Sequence, residues 1–188
     1  MLIGGTASAM CSTPPVAAAT LVAAAQSGDA GAFGELYARY TGMVNAIALA
    51  RVPRDVAADV VQETFLRALR RLQALRQPEC FGGWLAAIAR NVARDLARQR
   101  REVGTLDENP PASDAPPDDF DARLALRAIR TLPVAYRETL MMRLVQGMSG
   151  PEIAEQTGMT PGSVRVNLHR GLKLLRHHLE HSLKGVAR

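Results

Sequence analysis

Ser149–Arg176 reads SGPEIAEQTGMTPGSVRVNLHRGLKLLR and holds two helix starts separated by one sharp turn. Ser149 and Glu152 stand three residues apart, the spacing at which a hydroxyl and a carboxylate each cap the other's backbone N–H. Ile153 and Ala154 then give a first helix a small apolar face. Gly158 supplies the left-handed backbone that a tight turn between helices needs. Thr160 can cap a second helix, and Pro161 suits its first position, where a missing N–H costs nothing. The stretch therefore predicts a helix-turn-helix whose second helix carries Arg165, Asn167, His169, Arg170 and Lys173. Side chains of these types bond base edges and phosphates in the major groove, so the motif points to DNA.

The charge of the whole chain agrees. Over 188 residues the net charge is +5, which favours a polyanionic partner. It is unevenly spread. Residues 1–101 hold 12 Lys/Arg against 7 Asp/Glu, residues 102–121 hold 7 Asp/Glu and no Lys/Arg, and residues 122–188 hold 11 against 4. Two basic blocks flank an acidic connector, EVGTLDENPPASDAPPDDFD, with four prolines and almost no apolar periodicity. Such a segment predicts a flexible or extended linker over 102–121. The expected organisation is an extension over 1–27, partly disordered, a domain over 28–101, the linker, a domain over 122–182 and a tail over 183–188. Domains this small depend on compact helix packing.

Cys11 and Cys80 make no disulfide framework, which fits a reducing cytoplasm. The apolar N-terminus has no Lys or Arg ahead of it and is interrupted by Pro14 and Pro15, a poor match to a signal peptide. No apolar run reaches the roughly 20 residues of a membrane span, so no membrane insertion is expected. Strand signals are scarce and apolar residues recur at helical spacing, so the fold is expected to be all-α.

Within 28–101, Phe33, Leu36, Tyr37, Tyr40, Val44 and Ile47 step by three and four and predict the buried stripe of a helix over Ala30–Ala50. After Pro53 a second helix is expected from about Asp55 to Leu72, with Val61, Phe65, Leu69 and Leu72 inward. Asp59, Gln62, Glu63 and Leu66 share its other side. That strip suits a basic partner helix, although spacing alone reads it as a solvated face. A third helix over Phe81–Arg101 divides sharply. Arg90, Arg94, Arg98 and Arg101 fall within about 80° of one another, opposite Leu85, Ile88, Val92 and Leu96. Arginine's planar fork suits phosphate, so this face is expected on a DNA backbone. Trp84, behind the loop Leu75–Phe81, reads as core on physical grounds, with stacking on an unpaired base as the alternative.

Together these stretches resemble the extracytoplasmic-function (ECF) group of bacterial RNA polymerase sigma factors. The resemblance is carried by DAGAFGELYARY, DVAADVVQETFLRALRRL, FGGWLAAIARNVARDLARQRR and LPVAYRETLMMRLVQGMSGPEIAEQTGMTPGSVRVNLHRGLKLLR, in the family's order. It implies a first domain like sigma domain two, in which Asp59, Gln62, Glu63 and Leu66 dock on the β′ clamp helices of core polymerase. Arg76, Phe81, Trp84, Arg90, Asn91, Arg94 and Arg98 would bind the minus-ten element and help open it. The second domain would be like sigma domain four, reading the minus-thirty-five element through Ser163, Arg165, Asn167, His169, Arg170 and Lys173 and sitting on the β flap. An anti-sigma factor is a common partner in the group. The acidic linker would then mimic nucleic acid inside a basic polymerase channel. Many relatives carry Ser-Arg after the arginine matched by Arg165, where this chain has Val166 and Asn167.

No nucleophile–base pair or phosphate-cradling glycine loop stands out, so an enzyme is not expected. His177, His178 and His181 lack the further ligands of a metal site, and no metal or cofactor is expected. The competing reading is a stand-alone helix-turn-helix regulator, and a third is a protein whose helices only pair with partners.

Overall fold

The computed structural model describes residues 16–102 and 120–186, and every regular element in them is helical. The linker, apart from its ends, and residues 1–15 lie outside the described residues. Four helices form the first unit: α1 (Val16–Gln26), α2 (Ala30–Leu49), α3 (Arg54–Arg71) and α4 (Phe81–Glu102). Two single 3-10 turns, Leu72–Ala74 and Pro78–Cys80, lead from α3 into α4. The second unit holds α5 (Phe120–Thr131), α6 (Val134–Leu144), α7 (Gly150–Thr157) and α8 (Pro161–Val186).

Helix starts follow local chemistry. The Asp29 carboxylate accepts the Ala32 N–H at 3.1 Å and caps α2. Asp55 in the first turn of α3, and Arg70 and Arg71 in its last, agree with the helix dipole. Leu36, Tyr40, Val44 and Ile47 of α2 are buried with Val60 and Phe65 of α3 and with Leu85 and Val92 of α4. Two expected core residues are not core: Tyr37 is 43% exposed and Leu69 52%. The apolar stripe on each helix is wider than the face its neighbours cover.

Part of the extension is folded. The sequence reading left residues 1–27 outside the first domain, yet Ala18 and Val22 of α1 are fully buried. Gln26 ends α1 by donating its side-chain N–H groups to the carbonyls of Leu72 and Leu75, each at 2.9 Å. Those carbonyls follow the end of α3, where helical partners run out. The Gln73 side chain donates back to the Gln26 carbonyl. This clasp braces the chain just before the loop that enters α4.

The two units share one continuous apolar core rather than standing apart. The two units meet closely where α4 begins. A Cβ on Gly82 would stand 2.2 Å from the Gln156 carbonyl oxygen of α7, so only glycine admits this contact. Nearby, Arg39 of α2 pairs with Glu155 of α7 at 2.6 Å.

Candidate nucleic-acid interface

The helix-turn-helix forms as its local signals require. Ser149 Oγ accepts the Glu152 N–H, and the Glu152 carboxylate accepts the Ser149 N–H at 2.6 Å. The Ser149 hydroxyl, and then its backbone N–H, hold the Glu152 carboxyl below the ordinary glutamate range. Gly158 closes α7 at φ 70°, a left-handed conformation that a side chain rarely adopts. Thr160 Oγ1 then accepts the Ser163 N–H at 3.1 Å at the head of α8. Val164 and Leu175 face the core from α8. Ser163, Arg165, His169, Arg170 and Lys173 are exposed and Asn167 is half-buried. Val166 is exposed among them, an apolar group on a basic helix.

On α4 the arginines divide. Arg94 and Arg98 are exposed, and the Arg94 guanidinium donates to the side-chain oxygen of Asn91. Arg90 is turned to a different use. Its Nε and Nη2 donate to Glu138 Oε2 at 3.0 and 2.9 Å. Arg51, at the turn after α2, grips the other oxygen of the same carboxylate, with Nε at 2.8 Å and Nη2 at 2.6 Å. Arg90, Arg94, Asn91, Arg51 and Ala87 line a cleft of about 280 Å³ beside that ion pair. The helical wheel placed Arg90 with Arg94 correctly, but it carried no signal for Arg51 or Glu138.

The loop into α4 also sorts its residues. Arg76 is exposed. Phe81 is 0% exposed, with its ring edge-on to Tyr40 at 5.1 Å and 5.7 Å from Trp84. The expectation that Phe81 meets DNA is corrected on this point: the side chain sits in the core, sealed by α2. Trp84 is half-buried against that core and keeps part of its surface outside.

The strip on α3 is displayed. Asp59, Gln62 and Leu66 are exposed, Leu66 by 41%, and Glu63 is half-buried in an ion pair with Arg67 at 2.6 Å. Arg67 also reaches Asp95 of α4 at 3.1 Å, and the two carboxylates hold its guanidinium above its usual range. A cleft of about 520 Å³ adjoins the strip, lined by Tyr37, Asn45, Val61, Gln62 and Gln146 among others. The exposed Tyr37 and Leu69 add apolar surface that periodicity had assigned to the core.

Among the described residues no group of three His, Cys, Asp or Glu side chains could hold a metal ion. No helix among them is long and apolar enough to cross a membrane.

Two family models match the chain: Sigma-70 region 2 over residues 36–103 and Sigma-70, region 4 over residues 122–175. RNA polymerase sigma factor CarQ of Myxococcus xanthus is 37% identical over 172 residues, covering 87% of this chain and 98% of that protein. The ECF RNA polymerase sigma factor BldN of Streptomyces coelicolor is also 37% identical, over 82% of this chain and 63% of its own longer length.

The chain belongs to the ECF group of sigma-70 factors.

It is an RNA polymerase sigma factor, which binds core polymerase, directs it to specific promoters and helps open the DNA. The stand-alone regulator reading is set aside by these matches. Among solved structures, CnrH in complex with the cytosolic domain of CnrY shares 30% identity at a TM-score of 0.60, covering 88% of this chain and 98% of that one. The sigma factor RpoE from Bartonella quintana, in complex with the anti-sigma factor NepR, has the same fold at a TM-score of 0.54. The sigma factor's region 2 match thus takes in most of α2, with α3 and α4, and its region 4 match the helix-turn-helix.

Proposed function

We propose that this sigma factor divides its work among three exposed surfaces. Asp59, Gln62, Glu63 and Leu66 of α3 seat the β′ clamp helices. Arg76, Trp84, Asn91, Arg94 and Arg98, joined by Arg90, hold the minus-ten element as it opens. Ser163, Arg165, Asn167, His169, Arg170 and Lys173 of α8 meet the minus-thirty-five element while the same unit rests on the β flap. The observation that carries this reading is the pairing in one chain of a basic α8 face with the exposed Arg94 and Arg98 of α4. Charge neutralisation at phosphates supplies affinity, and a few side chains at base edges supply specificity. Strand opening costs a few kcal/mol per step, so bases must be captured as they leave the stack. The half-exposed Trp84 offers a π face for that capture.

The chain supplies addressing and no reaction of its own, and it acts in the cytoplasm where the polymerase is. It takes no metal or cofactor. An anti-sigma factor is its expected inhibitor, as NepR is named for its Bartonella partner.

Transcription from a promoter template by core polymerase plus purified protein tests the assignment. Leu66→Glu places a charge on the apolar residue of the α3 strip and is expected to weaken the complex with core polymerase about 30-fold, the loss of ~2 kcal/mol typical of a hot-spot contact. Unchanged affinity in a titration with labelled core would remove α3 from the docking surface. Arg165→Ala is expected to cost about 1–3 kcal/mol of discrimination between promoter and scrambled minus-thirty-five duplex. An equal loss on both sequences would make Arg165 a phosphate contact.

A further inference from the structure

Glu138 stands at the centre of an arginine cluster, and the clustering crosses the two units. Its side chain, only 9% exposed, is carried by α6. Oε2 receives Arg90 Nε and Nη2 at 3.0 and 2.9 Å, and Oε1 receives Arg51 Nε and Nη2 at 2.8 and 2.6 Å, with Arg90 Nε also within 3.3 Å of it. Two guanidiniums thus converge on a single anionic group, and the arginine fork suits phosphate as well as carboxylate. Both forks belong to the first unit, and the anion comes from the second.

The local charge balance is one-sided. Arg137, beside Glu138 on α6, has its Nε buried without a hydrogen-bond partner, as does Arg130 of α5. Burial, and then the nearby Arg51, hold Arg137 below its usual range. Arg130 and Arg137 belong to the second unit and leave with Glu138, so the cations that stay on the first unit when this carboxylate departs are Arg51 and Arg90. The cleft beside the pair, walled by Asn91 and Arg94, continues the same surface along α4.

We propose that Arg51 and Arg90 form a phosphodiester site for the promoter strand, and that Glu138 occupies it, carboxylate in place of phosphate, while the two units are closed on each other. The proposal rests on the minus-ten role given to α4 above and adds Arg51 to it. It makes closure and DNA binding by the first unit mutually exclusive at this point. The strand gains Arg51 and Arg90 only when α6 withdraws.

The test uses the full chain, a short labelled single-stranded DNA and a pair of fluorophores on α2 and α8. Glu138→Gln keeps the side chain's shape and removes its charge. It is expected to increase the separation of the fluorophores and to tighten oligonucleotide binding about tenfold, by raising the open fraction. Adding Arg51→Ala should remove most of that gain and lower the slope of log affinity against log salt by about 0.7, one phosphate on a single strand. Units that stay closed in Glu138→Gln, or a salt slope indifferent to Arg51, would overturn the proposal. Should Glu138→Gln fail to fold, Gly82→Ala opens the same seam by crowding with every charge kept, and the Arg51 comparison is made there. The underlying minus-ten reading fails separately. Arg94→Ala with Arg98→Ala would then leave oligonucleotide binding untouched in the opened protein, whatever Arg51 does.

Discussion

Phe81→Ala is expected to destabilise the folded chain by about 3–5 kcal/mol, the usual cost of emptying a fully buried aromatic site. The ring is 0% exposed and lies edge-on to Tyr40 at 5.1 Å, with Trp84 on its other flank. It also sits at the junction of the Pro78–Cys80 turn with α4. Its removal leaves a void beneath the helix that carries the arginines, and the surrounding rings can close over it only in part. Urea unfolding followed by circular dichroism gives the stability change directly. Oligonucleotide affinity, measured where the variant is still folded, should change by less than a factor of about three, because a buried ring makes no DNA contact. A variant of unaltered stability that lost its DNA affinity would return Phe81 to the promoter surface.

Gly82→Ala should part the two units. The added methyl would stand 2.2 Å from the Gln156 carbonyl oxygen, and 3.1 Å from Tyr40 Cε1. The first contact is with backbone, so it is not relieved by a side-chain rotation. Overpacking of this kind costs about 1–3 kcal/mol, and here the cost falls on the closed arrangement. In the opened protein the change has the reverse sign, since alanine is favoured over glycine in a helix, by less at this second position of α4 than the roughly 0.5–1 kcal/mol of a mid-helix site. Both terms push towards opening. The expected readout is an increased distance between labels on α2 and α8, with helical content retained. An unmoved distance would show that α7 yields locally at Gln156 and that this contact does not hold the seam.

The signals legible in the chain were the short-range ones. The Ser149–Glu152 box, the Gly158 turn and the Thr160 cap each depend on residues within four positions, and each forms as spacing requires. The two faces of α4 were legible for the same reason. Tyr37 and Leu69 were not, because periodicity marks an apolar stripe without saying how much of it a neighbour covers. α1 was missed because its alanine-rich segment has little amphipathic contrast, and its place depends on Gln26 meeting carbonyls 46 and 49 positions away.

Legible from the sequence alone were α2 to α4, the helix-turn-helix, the division into two basic blocks and the sigma family. Backbone hydrogen bonding and side-chain periodicity act over one or two turns, and these features need nothing longer. Long-range packing alone sets which arginine of α4 reaches Glu138. Glu138 meets Arg90 from 48 positions away and Arg51 from 87. An ion pair over such a separation leaves no local pattern, since its geometry exists only once two independently formed helical units have met. Gly82 is the same case: a small residue at the head of a helix, whose reason is a carbonyl on the other unit.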